Sequence, residues 1–379
     1  MTSVVNSDKI LTDCVKKIIR GYTGGPVCII GIVTSVLSLI LFKRDTSTTL
    51  STRLLLSAIA LVDIIFLLMY FILNSLQWFL PEINEFLTKP MVFTFFFFMT
   101  NVFELYRNWL VVVIAVERLL YFLKPVEFKV IWSVKKVAIV LIFLCVFSCL
   151  IRIPVIIYGI AKKPQERRRD TDLVKLTLMI HLLTDCIVLT IAPVLLMILL
   201  SIATTIRINA VVKTKLRLVN SNFTQQRRSS PILQPLNNGD QQNQKEQDDN
   251  SYRKHYRIVK ILHTVLITFI ICSVPSIPAT IMSFYLYFHD LQRGQLFVIT
   301  EVLSSIANLG SLFNSTSNFF VYVAHSKRYR YILAKILMLD RCFASLHREP
   351  SSTQETCCNL QEEGKTQFPH SVNNHSNIT

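Results

Sequence analysis

The chain has 379 residues, of which 51% are hydrophobic and only 17% charged, with a formal net charge of +16 and a mean hydropathy of +0.45. Soluble domains usually carry about 25% charged residues, so this composition excludes an ordinary globular enzyme and an intrinsically disordered protein. Because positive charge collects on the cytoplasmic loops of membrane proteins, the basic excess indicates membrane topology first, and no nucleic-acid partner is expected. The composition favours a polytopic helical membrane protein.

Seven apolar stretches are long enough to cross about 30 Å of hydrocarbon as helices. In chain order they cover residues 26–43, 54–79, 90–122, 134–159, 175–206, 258–288 and 296–324. The predicted fold is therefore an all-α membrane protein, a seven-transmembrane helix bundle over residues 26–324. Its polar third inner loop, at about 220–257, is predicted to be disordered. No pattern of a cleaved signal peptide precedes the first stretch, which is expected to serve as its own signal anchor.

The positions of the basic residues predict the orientation. If the segment 1–25 is extracellular, the inner loops and the tail hold most of the Lys and Arg residues that lie outside the spans. We therefore predict a multi-pass protein of the plasma membrane with its N-terminus outside and its C-terminus cytoplasmic. One outer loop departs from this pattern, with basic residues from Lys162 to Arg169. It is either a solvated charged loop or a cationic lip that attracts acidic ligands.

Residues 325–341, after the seventh stretch, have apolar side chains at helical spacing. These are Tyr329, Ile332, Leu333, Ile336 and Leu337. The spacing predicts an amphipathic eighth helix along the inner membrane surface, with membrane lipids as partners. Cys342 at its end is a candidate for lipidation. Residues 342–379 are predicted to be a disordered cytoplasmic tail.

Polar motifs recur on the predicted spans. The second span carries Asp63, and an ionisable group in hydrocarbon is functional by default. The third span ends in Glu117-Arg118, the fifth contains Pro193, the sixth reads Cys272-Ser273-Val274-Pro275, and the seventh reads Asn314-Ser315-Thr316-Ser317-Asn318-Phe319-Phe320-Val321-Tyr322. Together these motifs resemble those of the rhodopsin-like (class A) G-protein-coupled receptors, over about residues 26–341. With Phe319 where most of the family has Pro, the last motif is similar to that of the invertebrate FMRFamide-receptor-like neuropeptide receptors and their chemosensory relatives.

The resemblance implies which residues take part in signalling. Arg118 is expected to contact the G protein, and Glu117 to mask its charge in the resting state. Pro275 and Pro278 each remove a backbone donor, so they are expected to kink the sixth span and provide the hinge for its outward swing. The residues expected to act in G-protein coupling and activation are Glu117, Arg118, Tyr322, Asn318, Pro275, Phe269, Asn108 and Pro193.

Asp63, Arg107 and Asn314 are expected to form a polar switch in the core. By resemblance, Asp63 helps to bind a sodium ion in the inactive state, and Arg107 occupies the matching position on the third span. A guanidinium beside Asp63 neutralises the carboxylate without a metal cation, so sodium is expected to have no effect on the resting state. In the alternative, Arg107 pairs only with Glu104, three residues before it on the same helix.

The outer parts of the spans are predicted to form a ligand cavity. His181 and Asp185 are four residues apart and share a helix face, so they either pair with each other or bind the ligand. Acidic groups in a low-dielectric cavity favour a cationic ligand group, such as the Arg of an Arg-Phe-amide peptide. The expected ligand-binding residues are Thr100, Asn101, Glu104, His181, Asp185, Ser273, Glu301 and Asn308.

The chain lacks the disulfide that the resemblance implies, because no Cys lies near Phe93 at the outer end of the third span or in the second outer loop. The outward-side alternatives are Cys14 with Cys28 and Cys14 with Cys186, and free buried thiols are as compatible with the sequence. The nine Cys form no CxxC pair and show no zinc-type spacing, so neither a metal site nor a cofactor is expected.

These observations predict a G-protein-coupled receptor, not an enzyme, that binds an extracellular ligand and activates a heterotrimeric G protein. An amidated neuropeptide is the expected ligand, and arrestin and kinases are expected partners at the tail. Two alternatives stay open. The first is a divergent chemosensory or orphan receptor for a small molecule, which signals even without ligand. The second is a transporter, which the nine Gly and the lack of an evident internal repeat disfavour.

Overall fold

The computed structural model describes residues 10–45, 48–87, 89–123, 127–128, 132–161, 172–228, 264–265, 267–289 and 294–336. The chain divides into two units, one ending at Leu333 and one beginning at Ala334. All the membrane-spanning helices belong to the first unit. Of the second unit, the structure describes residues 334–336, which form the end of a helix.

Seven helices are long and apolar enough to cross a membrane. In chain order they are Ile10–Arg44, Leu50–Phe79, Pro90–Tyr121, Val134–Ile157, Leu176–Arg207, Ile267–Leu286 and Gln295–His325. Two shorter helices, Pro81–Leu87 and Lys327–Ile336, follow the second and the seventh span. The residues that the structure describes contain no strand. The predicted fold class, an all-α bundle of seven transmembrane helices, is confirmed.

The spans present apolar side chains to one another and to the outside of the bundle. The largest buried cluster joins the second, third and fourth spans through Leu55, Leu110 and Val137, each 0% exposed. On the fourth span, Ile139 and Phe143 are 65% and 66% exposed. Large apolar side chains in such numbers are costly in water, so this outer surface is the one that hydrocarbon covers.

Two helices are longer than the sequence predicted. The first begins at Ile10 rather than at residue 26. Its added turns are held by polar contacts, since Arg20 lies near the Glu301 carboxylate and the Ser75 hydroxyl donates to the Arg20 carbonyl oxygen. The helix of the fifth span continues to Arg228, into the segment expected to be disordered from about residue 220. Hydropathy ends a span where charged residues become frequent, and both extensions contain several of them. Residues 229–263 lie outside the described residues.

Within the described residues, three spans contain a π-helical segment, in which the turns are wider than in an α-helix. The segments are Lys17–Thr23 in the first span, Phe71–Ser75 in the second and Asp185–Ile191 in the fifth. Such segments arise when one extra residue is accommodated in a helix, often at functional sites. The hydrophobic periodicity of the sequence did not predict them, because one extra residue leaves a long apolar stretch equally apolar.

The sixth span is interrupted, whereas the seventh is continuous. In the sixth span the helix breaks at Val274 and Pro275, because a proline has no N–H to donate. The seventh runs from Gln295 to His325 as one helix. Phe319 stands where most of the family has Pro, and it has the backbone N–H that a proline lacks. The two spans approach closely at Gly310, where an added Cβ would overlap the carbonyl oxygen of Cys272.

The helix Lys327–Ile336 lies within the predicted amphipathic segment 325–341. Its basic side chains, such as Arg328 and Arg330, are exposed, whereas Tyr329 is half-buried, as are Ile332 and Leu333. The polar and apolar faces therefore agree with the predicted pattern. Residues 337–341 lie outside the described part of the chain, and contact of this helix with a membrane surface stays a prediction.

Candidate functional site

A cavity of about 420 Å³ lies between the spans. Its volume is within the usual range of small-ligand sites, about 300–1,000 Å³. Its wall brings together six of the predicted ligand-binding residues: Thr100, Asn101, Glu104, His181, Asp185 and Asn308. Ser273 and Glu301 are not among the described residues that line it. That the wall residues bind a ligand stays a prediction.

Glu301 is engaged by the extended first helix instead. Its Oε2 lies 3.1 Å from Lys16 Nζ and 3.6 Å from Arg20 Nη2. Arg20 Nε donates to Ser305 Oγ at 3.2 Å, and Arg20 itself lines the cavity. Sequence reasoning missed Arg20 as a wall residue because it precedes the apolar stretch from which the first span was predicted.

His181 and Asp185 form the expected pair, with 3.5 Å between Nε2 and Oδ2. The structure adds Arg152 to the pair: its Nη1 forms an ion pair with Asp185 Oδ1 and lies 3.2 Å from His181 Nδ1. Arg152 is 0% exposed. A protein cation thus neutralises Asp185, which weakens the attraction of this carboxylate for a cationic ligand. The only sequence signal for Arg152 was an arginine inside an apolar stretch.

Ser311 connects Glu104 to Arg107. The Ser311 hydroxyl donates to Glu104 Oε1 at 2.6 Å and accepts from Arg107 Nη2 at 2.9 Å. Arg107 Nη1 also donates to the Ser311 carbonyl oxygen at 3.0 Å. The alternative of a direct Glu104–Arg107 pair is therefore corrected to a contact through a hydroxyl. The physical reason is that the seventh span offers the guanidinium two acceptors on one residue.

Arg107 and Asp63 are also not in direct contact, and Ser315 is the residue that Arg107 binds on this side. Its Nη1 donates to Ser315 Oγ, whereas Asp63 Oδ2 accepts from Asn318 Nδ2 at 3.0 Å. The other oxygen of Asp63, Oδ1, is buried and accepts no hydrogen bond from the residues that the structure describes. The expected direct contact of Arg107 with Asp63 is thus not formed, and the attraction between the two charges acts at longer range.

Other groups occupy the remaining sides of the Arg107 guanidinium. Asn108 Oδ1 accepts from Nε at 3.3 Å and from Nη2 at 3.0 Å. The ring of Phe66 lies 4.7 Å from the guanidinium carbon, which is a cation–π geometry. Arg107 is 2% exposed, so its charge is held almost wholly by protein groups. The absence of a sodium effect on the resting state stays a prediction.

The third span is hydrogen-bonded to the π-helical segment of the fifth. Asn108 Nδ2 donates to the Leu189 carbonyl oxygen, and Trp109 Nε1 donates to that of Val188, both at 3.1 Å. These bonds satisfy carbonyl groups of the wide turn and fix its backbone. Two further residues of the expected coupling set are buried: Pro193 and Phe269. Their action together with Asn108 stays a prediction.

Glu117 is held by the second span. It is 1% exposed and accepts a hydrogen bond from Thr52 Oγ1. Glu117 and Arg118 are consecutive, so their side chains leave the helix in different directions. The two side chains form no ion pair in the described structure, and the attraction between their charges acts through space. That Glu117 masks the charge of Arg118 in the resting state stays a prediction. Sequence reasoning missed Thr52, which lies 65 residues away from Glu117.

The C-terminal end of the first span binds the helix Lys327–Ile336 through Asp45. The Asp45 carboxylate, 2% exposed, lies 2.7 Å from Arg328 Nη2 and accepts from the Tyr329 hydroxyl at 3.1 Å. Burial, together with the nearby charge of Asp45, raises the pKa of Tyr329 to about 12, so the phenol keeps its proton and donates. We call this group, Asp45 with Arg328 and Tyr329, the Asp45 clasp. The sequence showed Asp45 only as part of a polar break between spans.

Tyr322 and Asn314, which the sequence assigned to activation and to the core switch, both lie inside the bundle. The Tyr322 ring packs edge-on against Phe42, with 5.5 Å between centroids. Asn314 is 5% exposed, and its carbonyl oxygen accepts from the Ser317 hydroxyl at 2.9 Å. The structure therefore places both residues in the core, and their roles stay predictions.

The six cysteines that the structure describes are free thiols. Cys14, Cys28 and Cys186 are all among them, so neither alternative bridge from Cys14 is formed. Cys342, the lipidation candidate, and the basic residues from Lys162 to Arg169 lie outside the described residues. Predictions about lipidation and about a cationic lip are therefore unchanged.

The model of the family described as 7 transmembrane receptor (rhodopsin family) matches residues 34–322. The match reaches from the first span to the end of the predicted Asn-Phe-Phe-Val-Tyr motif in the seventh. It includes Asp63, Glu117, Arg118 and Pro275. No curated protein matches the chain significantly.

Proposed function

The chain belongs to the rhodopsin family of seven-transmembrane receptors, and from this premise we propose that it binds an extracellular ligand in the described cavity and activates a heterotrimeric G protein. It acts in the plasma membrane with its N-terminus outside and its C-terminus in the cytoplasm. Arrestin and kinases act on the tail, and lipids contact the helix Lys327–Ile336. The basic inner loops and the amphipathic pattern of that helix support this arrangement.

One observation carries the proposal: a lining residue of the cavity is connected to the core by polar contacts. Glu104 lines the cavity and contacts Ser311, which contacts Arg107, which in turn donates to Ser315 beside the Asp63–Asn318 pair. A ligand group that binds Glu104 changes the first contact of this series. Chains of hydrogen bonds between packed helices are one physical route by which a bound ligand can affect the core.

The proposed ligand is an amidated peptide with a cationic side chain. Glu104 supports it, because its carboxylate accepts a hydrogen bond from the neutral Ser311 hydroxyl and keeps its charge available to a cation in the cavity. A small molecule is the second candidate. It is favoured by the volume of about 420 Å³, which holds a small ligand or only the end of a peptide.

The test is G-protein dissociation in intact cells that express the full chain, with and without a panel of amidated Arg-Phe peptides. The variants Arg118→Ala and Arg118→Lys are measured at equal surface expression. We expect a peptide-dependent signal that Arg118→Ala abolishes and Arg118→Lys partly keeps. A high signal without peptide, lost in Arg118→Ala, favours a constitutively active receptor for another ligand. A signal that is absent throughout, or that Arg118→Ala leaves intact, contradicts the proposal.

A further inference from the structure

The charged side chains of the cavity wall differ in how completely the protein satisfies them. The residues concerned are Arg20, Glu104 and Asp185. Asp185 uses both carboxylate oxygens, Oδ1 with Arg152 and Oδ2 with His181. A ligand gains little from Asp185, because it would have to displace a protein cation from a buried pair.

Glu104, by contrast, keeps one oxygen free. Its Oε1 accepts from Ser311 Oγ at 2.6 Å, and no group in the part of the chain that the structure describes donates to Oε2. A carboxylate oxygen accepts strong hydrogen bonds from a cation, stronger than those between neutral groups. Glu104 therefore provides an acceptor for a cationic ligand group on this wall.

Arg20 provides the opposite charge. Its Nε donates to Ser305 Oγ at 3.2 Å, and its Nη2 lies 3.6 Å from Glu301 Oε2. Its Nη1 donates to no group among the described residues, and its side chain is 20% exposed. The Ser75 hydroxyl donates to the Arg20 carbonyl oxygen at 2.9 Å, which fixes the backbone at this position. Arg20 thus presents a positioned guanidinium with free donors to the cavity.

Both charges line the same cavity. Arg20, Tyr70 and Glu104 all belong to the wall of this one cavity. The two free groups are therefore not in separate pockets. One ligand that carries both charges can reach them together.

We propose that the cavity takes a ligand with both a cationic and an anionic group, the cation on Glu104 and the anion on Arg20. This inference rests on the proposed function only in taking the cavity as the ligand site. Arg20 is then the residue that determines specificity, because a carboxylate accepts two parallel N–H bonds from a guanidinium. A ligand without an anionic group leaves these donors unpaired.

The anionic group comes from one of two sources. In an amidated peptide it is the carboxylate of an acidic side chain, because the amidated end has none. In a small molecule it is the carboxylate of an amino-acid-like compound. Matched probes separate the two sources: Glu-Arg-Phe-amide with Gln-Arg-Phe-amide for the peptide, and arginine with argininamide for the small molecule. Within each pair the main difference is whether the anionic group is present.

The experiment measures binding of the four probes to the purified full chain in detergent by the shift of its melting temperature with probe concentration. Arg20→Gln removes the charge, and Arg20→Lys keeps it. Lys16→Gln is the matched control, because Lys16 contacts the same Glu301 carboxylate at 3.1 Å but does not line the cavity. Melting curves without probe show that each variant is folded.

We expect the acidic probe of one pair to bind at least about tenfold more tightly than its amide partner, the size of one charge-assisted hydrogen bond. The preference should persist in Lys16→Gln, shrink in Arg20→Lys and disappear in Arg20→Gln. Equal binding within both pairs, a preference that survives in Arg20→Gln, or no binding of any probe overturns the inference. Because binding is measured without a G protein, a failure of coupling contradicts the proposed function and leaves this result intact.

Discussion

Arg107 is a buried cation whose partners come from the third and the seventh span. It is 2% exposed and donates to Asn108, to Ser311 and to Ser315. Removing one member of a buried charged group costs about 3–5 kcal/mol, since the other charges stay buried without compensation. Of the carboxylates near Arg107, Asp63 is buried, and its Oδ1 already lacks a hydrogen-bond partner among the described residues.

Replacing Arg107 with methionine should therefore destabilise the protein by about 3 kcal/mol. The double variant Arg107→Met/Asp63→Asn should recover part of this loss, because the uncompensated carboxylate is gone. Thermal unfolding of the purified chain in detergent measures both effects, with Asp63→Asn alone as the reference. Strictly additive effects of the two substitutions would show that Asp63 and Arg107 are not coupled.

Sequence spacing predicted contacts within one helix better than contacts between helices. The His181–Asp185 pair was predictable, because residues four apart share a helix face. The contact of Arg107 with Ser311 joins residues 204 positions apart, so no local pattern indicates it. Arg152 was missed for the same reason, since its partners lie on another span. A buried charge can be recognised in the sequence, whereas its partner becomes evident only from the packing.

The close contact between the sixth and the seventh span depends on Gly310, which has no side chain. At Gly310 an added Cβ would overlap the Cys272 carbonyl oxygen, and a backbone atom cannot rotate away as a side chain can. This contact lies next to the break at Val274 and Pro275. The two spans are therefore packed without a gap at the point where the sixth span is least regular.

Gly310→Ala should destabilise the protein by about 2 kcal/mol, because the two helices must separate to admit the methyl group. Gly25→Ala is the matched control: a Cβ added there would lie 3.3 Å from an atom of the Phe79 ring, which can shift. Melting temperatures of the two purified variants are compared with that of the unchanged chain. A loss of the same size in both variants would contradict this account of the close approach.

The Asp45 clasp attaches the helix Lys327–Ile336 to the first span. Asp45→Ala and Arg328→Ala should each increase hydrogen exchange in this helix several-fold, as expected for the loss of about 1 kcal/mol. The double variant should exchange no faster than Asp45→Ala alone, since both remove the same ion pair. Lys327→Ala, at a neighbouring exposed position, serves as the control. If Lys327→Ala had the same effect, general helix propensity rather than the clasp would hold the helix.

The order and number of the spans were predictable, because a helix must bury about 30 Å of its length in hydrocarbon and its sequence shows this. The ends of the helices were less predictable than their number. The turns from Ile10 to Gly25 mix charged with apolar residues, and those that continue to Arg228 are polar, so hydropathy does not detect either extension. They depend on contacts such as that between Lys16 and Glu301, whose partners are far apart in the sequence.

For the molecule as a whole, the free thiols predict a stability that does not depend on redox conditions. The described cysteines form no disulfide. Removing a native disulfide usually costs 2–5 kcal/mol, so a reductant should shift the melting temperature of this chain by less than about 1 °C. Unfolding of the purified protein with and without a phosphine reductant measures this. A drop of several degrees would reveal a bridge, and peptide mapping under non-reducing conditions would identify its cysteines.

The π-helical segments have a consequence for comparing this chain with other receptors. One extra residue rotates the side chains that follow it by about 100° about the helix axis, compared with a regular helix. When a relative has a regular helix there, an alignment without a gap assigns the side chains on one side of the segment to the wrong face of the helix. The family match begins at residue 34, after the segment Lys17–Thr23. Arg20 precedes the matched range, whereas Asp63 lies within it and before the segment Phe71–Ser75 of its own span. Ligand preferences of relatives should be transferred to this chain by superposition of structures and not by residue count.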